Sequence, residues 1–407
     1  MIHRLLSIFG FLLLSSFPTT AAEPFVFSAD RIKSDITQLA SDRFEGRGPG
    51  TRGEELTTDF LAGEYKKAGL KPIGDKGTYF QPVPLVRVFT SPKSTLSATK
   101  GNDTIDIVCE EEFSGTSHTQ TDLEQFEAEA IFLGHGITAP EFEWEDYKGV
   151  DVKGKVVVLF TNEPPSEDAK FFGGKALTYY GRWTYKFEEA ARRGAVAALI
   201  VHDTDGVGYG WNVVKSGGGE NYGLVVPPEQ RTSLALQGWI SGETATKLFV
   251  DAGQDLAKLR IAARRKNFRP VDLGTRFDAE VPVKHEVVQS QNVLAKIPGT
   301  RRPNEVVMYG AHWDAYGEGK PDEQGRIYRA GANDDALGVA GLFEIARNFR
   351  AAPPPDRTIL FAFWTAEERG LLGSEAYAQS PLYPPETTVA NLGLDILQTA
   401  GRAKDVI

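Results

Sequence analysis

The sequence predicts an α/β fold in which helices flank a central, mostly parallel sheet. Two series of strand-like and helix-like segments support this, one in the last third of the chain and one in its middle. Such alternation favours parallel strands joined by covering helices. The 407 residues, 41% hydrophobic and 25% charged, are typical of a folded chain and enough for more than one domain.

The first part of the chain predicts two helices followed by strands. Apolar residues recur at helical spacing in two stretches between Ser28 and Leu70, and the second starts from a Thr cap and ends at Gly69. The glycine-rich turn FEGRGPG separates them. Alternating residues in 79–115 indicate strands.

The middle of the chain predicts a small β/α unit from about Ala128 to Ala263. Its order is strand, strand, helix, strand, in the segments AIFLGHGI, GKVVVLF, KFEEAARRGA and AALIVH. The Gly/Ser-rich stretch SGGGEN within it predicts a mobile segment. We therefore expect an N-terminal part of one domain at 23–120, an inserted unit at 121–265, and the rest of the first domain at 266–407.

The last third predicts a regular series of strands and helices. In order, the predicted strands and helices are SQNVLAKIPG, NEVVMYGA, ALGVAGLFEIARNFR (helix), RTILFAFWT, EERGLLGSEAYAQS (helix) and TVANLGLDIL.

The N-terminus and the charge balance indicate where the protein works. Residues 1–22 combine a positive start, a ten-residue apolar run and a small-residue end, which predicts a cleaved signal peptide and a secreted or periplasmic protein. No membrane span is expected in the mature chain. A net charge of −10 argues against nucleic acid as a partner. The single cysteine, Cys109, excludes a Cys–His zinc site.

Four segments place metal-ligand residue types at predicted strand ends. Taken singly, most of these residues have an ordinary explanation, as a loop histidine, a helix cap or a partner of the helix dipole. Asp395, which lies between two apolar residues, is the exception, because burying a carboxylate in an apolar strand is costly unless it is paired. The segments hold His312 with Asp314, Asp334 with Asp335, Glu367 with Glu368, and Asp395.

Together these segments predict a metal site, because the carboxyl ends of parallel strands meet at one edge and crowded carboxylates need a cation. His and carboxylates without Cys suit catalytic zinc, with manganese or cobalt as alternatives. Adjacent acids point in different directions, which suggests Glu368 as a ligand and Glu367 as a base acting on water. Asp314 is placed to orient the His312 imidazole.

Several segments together resemble a known family. They are LASDRFEGRGPGTRGEE, YFQPVPL, FFGGKALTYYGRWTYKFEEAARRGAVAALIVH, AHWDAYG, GANDDALG, TAEERG and NLGLDIL. In this order they resemble the secreted bacterial di-zinc aminopeptidases, relatives of glutamate carboxypeptidase and the transferrin receptor. The resemblance is to the branch with a protease-associated (PA) domain inserted in a zinc exopeptidase-like fold.

The resemblance implies two zinc ions and a role for each candidate residue. His312 and Asp395 would bind one zinc, Glu368 the other, and Asp334 would bridge both. Glu367 would be the general base. Asp314 would orient the histidine, and the peptide bond between Asp334 and Asp335 would be cis.

The resemblance also implies a fifth ligand, a histidine well beyond the Asp395 strand. Because the sequence stops at Ile407, we expect a C-terminally truncated chain in which the last part of the peptidase sheet is missing. The expected function is hydrolysis of N-terminal residues from peptides. The alternatives are a catalytically impaired fragment or PA-domain binding protein, and a carboxypeptidase or glutaminyl cyclase on the same scaffold.

Overall fold

The computed structural model describes residues 25–216, 220–232 and 234–397. The predicted signal peptide and the centre of the SGGGEN stretch lie outside these residues. The helices are α1 (Ala29–Leu39), α2 (Arg52–Lys67), α3 (Trp183–Arg192), α4 (Thr204–Val207), α5 (Trp211–Ser216), α6 (Gly242–Asp251), α7 (Leu256–Ala262), α8 (Leu337–Ala351) and α9 (Leu372–Gln379).

Sixteen strands are present in the same residues. They are β1 (Lys71–Pro72), β2 (Phe80–Thr90), β3 (Thr95–Lys100), β4 (Asp103–Ile107), β5 (Phe113–Thr116), β6 (Leu123–Phe132), β7 (Thr138–Ala139), β8 (Trp144–Glu145), β9 (Val156–Phe160), β10 (Ala197–Val201), β11 (Glu220–Leu224), β12 (Leu236–Ile240), β13 (Val271–Ile297), β14 (Arg302–His312), β15 (Arg357–Trp364) and β16 (Thr388–Gly393).

The two N-terminal helices form as predicted, and side-chain caps mark where they begin. The Ser28 side chain accepts a hydrogen bond from the Arg31 amide at the start of α1, and the Thr51 side chain accepts one from the Gly53 amide at α2. Their buried residues Leu39, Leu61 and Tyr65 share a core cluster with α8 and with strands β13 and β15. The two helices are thereby fixed to the sheet that carries the candidate site.

The sheet of the last third is mixed. Strand β14 pairs in parallel with β15 on one side and with β16 on the other, as the alternation predicts. Strand β13, in contrast, pairs antiparallel with β15. The predicted strand SQNVLAKIPG is only the end of β13, which has 27 residues and pairs in its first half with β6 of the inserted unit. Three of the four strands are therefore parallel and the first is antiparallel to them, which confirms the prediction of a mostly parallel sheet.

The inserted unit is a β/α layer built on parallel strands. Strand β10 pairs in parallel with β9 and β12, and β9 pairs in parallel with β6. Strand β5 adds antiparallel to β12, and β3 pairs with β13, so strands of the N-terminal part complete this layer. Because β13 pairs with β6 in its first half and with β2 and β15 in its second, one strand connects the two halves of the molecule.

Candidate metal centre

The carboxyl ends of the three parallel strands deliver the candidate residues to one place. His312 is the last residue of β14, Glu367 comes three residues after the end of β15, and Asp395 two residues after the end of β16. Asp334 lies in the turn that leads into α8. The convergence expected of a parallel sheet is thus present in the structure.

His312 lies at the centre of this group. Its Nε2 atom is 2.9 Å from Asp334 Oδ1, 3.5 Å from Asp395 Oδ1 and 3.7 Å from Glu367 Oε2. The imidazole is buried, whereas half of the Asp395 side chain is exposed. Asp395 therefore lies after its strand and is not enclosed by apolar neighbours. The prediction that its carboxylate is buried in an apolar strand was wrong. Its position beside the other candidate residues is as expected.

Two buried carboxylates support the backbone around this centre. Asp314 Oδ1 and Oδ2 accept hydrogen bonds from the amides of Glu367 and Glu368, at 3.0 and 3.4 Å, and Asp314 Oδ1 is 3.5 Å from His312 Nδ1. Asp335 Oδ2 accepts from the His312 amide and Oδ1 from the Gly338 amide. Both buried carboxylates therefore hold the backbone of the segments that carry the metal-ligand candidates.

The GANDDALG turn separates its two acids. The peptide bond between Asp334 and Asp335 is cis, as the family resemblance implies. Asp334 is partly exposed, with 38% of its side chain accessible, whereas Asp335 is fully buried. Only Asp334 is thus placed to contact a ligand.

The charges of the centre shift the protonation of its members. Burial raises the pKa of Glu367 and of Glu368 to about 7, and nearby carboxylates add to both shifts. Burial opposes the charged form of His312, but hydrogen bonds with Asp314, Asp334 and Asp395 outweigh it and raise its pKa. The hydrogen bond with His312 is the main cause of the lowered pKa of Asp395. The group therefore favours an added positive charge.

The donor set fits a metal ion. One ligand atom each from His312, Asp334 and Asp395 lie within 4.8 Å of one another. An imidazole with two carboxylates is a donor set that catalytic zinc accepts, and three protein ligands leave an open position. In the part of the chain that the structure describes, no second group of three such residues occurs. Glu368 is the remaining acid beside Asp334, and its side chain hydrogen-bonds with Tyr316.

Comparison with known proteins finds a family match for the part of the chain that carries this centre. Residues 292–407, which include all six candidate residues, match Peptidase family M28. The match covers the strands and loops of the metal centre and leaves the inserted unit outside.

Relatives of the M28 segment include several proteins named as aminopeptidases. The chain is 26% identical over 350 residues to a probable lipoprotein aminopeptidase, LpqL, of Mycobacterium tuberculosis, with 85% of this chain and 54% of that protein covered. An aminopeptidase of Pseudomonas aeruginosa is 40% identical over 108 residues, which are 26% of this chain and 17% of that protein. The chain thus spans about half the length of the first relative and less of the second.

Solved structures give a weaker likeness. An aminopeptidase from Aneurinibacillus sp. strain AM-1 is 21% identical, with a TM-score of 0.47, and 91% of this chain and 70% of that chain are covered. A zinc aminopeptidase from Bacillus subtilis is 18% identical with a TM-score of 0.41, covering 92% of this chain and 70% of that one. Both TM-scores are too low to support an argument about this chain.

Arg47 is a member of the site that the sequence did not reveal. Its guanidinium is 1% exposed and donates hydrogen bonds of 2.8 Å to the carbonyl oxygens of Trp313, Ala330, Gly331 and Leu39. Trp313 lies between His312 and Asp314, and Gly331 begins the turn that carries Asp334. Burial lowers the pKa of Arg47 to about 10, so the group stays charged at neutral pH behind the acids. The sequence FEGRGPG predicted only a turn. The one sequence feature that could have pointed to Arg47 is that it is an arginine among glycines.

No helix in the described parts of the chain combines the length and the apolar character that a membrane crossing requires.

Proposed function

We propose that this protein is a zinc-dependent aminopeptidase that removes N-terminal residues from peptides. The observation that carries the proposal is the grouping of His312, Asp334 and Asp395 around one point, with Glu367 directly beside it. The match of residues 292–407 to Peptidase family M28 and the names of the relatives support it.

The proposed ligand set follows the motif positions. His312, Asp334 and Asp395 would hold one zinc, and Asp334 together with Glu368 would hold a second. The donor types suit zinc. Asp314 orients the imidazole at Nδ1, which lies 3.1 Å from the Asp314 carbonyl oxygen and 3.5 Å from Asp314 Oδ1. Zinc, when bound, supplies Lewis acidity that polarises the scissile carbonyl and acidifies water.

Glu367 acts as general base in this proposal. Its carboxylate borders the centre, since Oε2 is 3.7 Å from His312 Nε2, and its amide is held by Asp314. Burial raises the pKa of Glu367 to about 7 in the metal-free chain. A carboxylate at this position is suited to take a proton from water and return it to the leaving amine. Asp314 therefore positions both the base and the histidine.

The remaining parts of the chain have proposed roles as well. Residues 121–265 form a PA-like insert that borders the site, while 23–120 and 266–407 make up the peptidase domain. A signal peptide at residues 1–22 would direct the protein to the periplasm or the exterior, a location that the name of the lipoprotein relative supports. The alternatives are a binding protein or fragment without activity, and a carboxypeptidase or glutaminyl cyclase on the same scaffold.

Replacing Glu367 by Gln tests the proposal. We expect peptide hydrolysis to fall by about 10²–10⁴-fold because the base is removed, while the zinc content measured by atomic absorption stays that of the unmodified chain. Peptides blocked at the N-terminus or amidated at the C-terminus distinguish the direction of attack, and only the N-blocked ones should resist. Full activity of Glu367→Gln would contradict the assignment, and absence of bound zinc at micromolar supply would favour the binding-protein alternative.

A further inference from the structure

A cleft lies between the inserted unit and the peptidase half, next to the metal centre. Its volume is about 440 Å³, within the range of roughly 300–1,000 Å³ that ligand pockets occupy. Helix α3 forms one wall, with Trp183, Phe187 and Glu188. Strand β11 and the residues that lead into α9 form the other.

Strand β11 presents an open edge to this cleft. Among the described residues it pairs only with β2, in antiparallel register. The Val225 amide donates to Pro84 O, which fixes the pattern of this pair. Because hydrogen-bonding residues alternate along an antiparallel pair, the backbone groups of Glu220, Tyr222 and Leu224 point away from β2.

Side chains cover this edge only in part. The Glu220 carbonyl accepts from Arg369 Nη1 at 3.3 Å, and the Leu224 carbonyl accepts from Gln120 Nε2 at 3.2 Å. The Tyr222 amide donates to the side chain of Asn221. The described residues provide no hydrogen bond to the Tyr222 carbonyl or from the Leu224 amide. A strand edge with such groups is a template for pairing with another extended chain.

The cleft and the metal centre are neighbours through Arg369, which lines the cleft. Arg369 directly follows Glu368, and its guanidinium lies 5.4 Å from the Tyr222 ring centre and 5.1 Å from that of Tyr316. Tyr316 in turn hydrogen-bonds with Glu368.

We propose that the part of a peptide substrate downstream of the scissile bond binds in this cleft as an added strand on β11. The inference rests on the proposed peptidase function and names its substrate class, extended peptides of several residues. Backbone groups of β11 give affinity with little dependence on sequence. The 38% exposed Trp183 on α3 offers apolar surface to the peptide side chains.

Replacing Leu224 by Pro tests the edge, because it removes the outward amide while an edge strand tolerates proline. We expect the ratio of KM for a pentapeptide to KM for a dipeptide to rise about threefold to tenfold, the effect of one net hydrogen bond. Leu224→Ala is the matched control: it shortens the same side chain, keeps the amide, and should leave the ratio near that of the unmodified chain. An equal rise in both variants, or no advantage of the longer peptide in the unmodified chain, would overturn the proposal.

Methylated peptides test the same contact without a change in the protein. Pentapeptides methylated at one backbone nitrogen at a time should lose affinity at alternate positions, because only every second residue of an added strand faces β11. Binding is measured by fluorescence anisotropy, with a C-terminal label and the Glu367→Gln protein. This readout needs no turnover, so it decides the edge proposal even if hydrolysis is absent and the proposed function fails. A uniform loss, or none, at every position would overturn it.

Discussion

Arg47 stabilises the two loops that carry the metal-ligand candidates. Its guanidinium contacts the backbone of the His312–Asp314 segment and of the turn before Asp334, and it does so from inside the protein. An always-charged planar group with several donors suits this role better than lysine. It also supplies positive charge behind a centre rich in carboxylates.

Replacing Arg47 by Met should therefore weaken both folding and metal binding. Buried carbonyl oxygens would lose their donors, each at a cost of about 1–3 kcal/mol, so we expect the free energy of unfolding to fall by at least about 3 kcal/mol. Urea unfolding and zinc titration measure the two effects. Arg43→Met in the same turn is the control, since Arg43 is exposed, and should change stability by less than about 0.5 kcal/mol. Equal stability of the two variants would contradict this role.

Glu54 makes stability depend on pH. Its carboxylate is buried, accepts from the Gly50 amide and the Ser290 hydroxyl, and has a pKa raised by burial to about 7. Because the folded state binds this proton more tightly than the unfolded state, stability contributed by the group is present below about pH 4.5 and is lost as pH rises to about 7. The slope is at most about 1.4 kcal/mol per pH unit.

Glu54→Gln removes this titration and keeps an oxygen that accepts from the Gly50 amide. The new amide nitrogen would donate to the Ser290 hydroxyl, which can donate to Thr365 instead of to residue 54. We expect urea unfolding at pH 5 and pH 7.5 to show a smaller loss of stability in the variant than in the unmodified chain. Glu55→Gln, an exposed neighbour on α2, should leave the difference unchanged. An identical pH dependence in Glu54→Gln and the unmodified chain would refute the assignment.

At the scale of elements, the start of α8 depends on the close approach of the Gly338 backbone to the Asp335 carboxylate. A Cβ on Gly338 would lie 2.3 Å from Asp335 Oδ1, the atom that accepts the Gly338 amide. The other oxygen of Asp335 accepts the His312 amide. Helix α8, the turn and β14 are therefore joined through one carboxylate.

Gly338→Ala should displace Asp335 and with it the His312 backbone. We expect zinc affinity to fall about 10–100-fold, the usual effect of losing support around a metal ligand. The control is Gly63→Ala in α2, where a Cβ meets nothing within 4 Å; it should raise stability by up to about 1 kcal/mol and leave zinc binding unchanged. Unchanged zinc affinity in Gly338→Ala would show that the contact does not support the site.

Local patterns in the sequence predicted most helices and strands and all the candidate residues. They did not predict contacts between residues that are far apart in the sequence. The spacing of apolar residues in 29–67 is a local signal, and it gave both N-terminal helices. The direction of β13 is not local, because it depends on β15, about seventy residues away in the chain. Likewise the partners of Arg47 come from Trp313 and Gly331, so a turn sequence alone contained no sign of them.

At the scale of the whole molecule, metal binding and folding should be coupled. The centre gathers Asp334, Glu367, Glu368 and Asp395 around one histidine, and these carboxylates repel one another without a cation. Because zinc would bind the folded chain, saturation at 100 times Kd adds about 2.7 kcal/mol. Thermal unfolding should therefore shift upward when zinc is added after chelation. His312→Ala should lose this shift, and a shift of equal size in that variant would place the zinc elsewhere.

The most direct measurement is release of the N-terminal residue from a pentapeptide by the purified protein before chelation, after it, and after zinc is restored. We expect activity that disappears on chelation, returns at micromolar zinc in the unmodified chain, and does not return in His312→Ala. Activity that survives chelation, or that His312→Ala retains in full, would contradict a zinc peptidase centre at the ends of β14, β15 and β16.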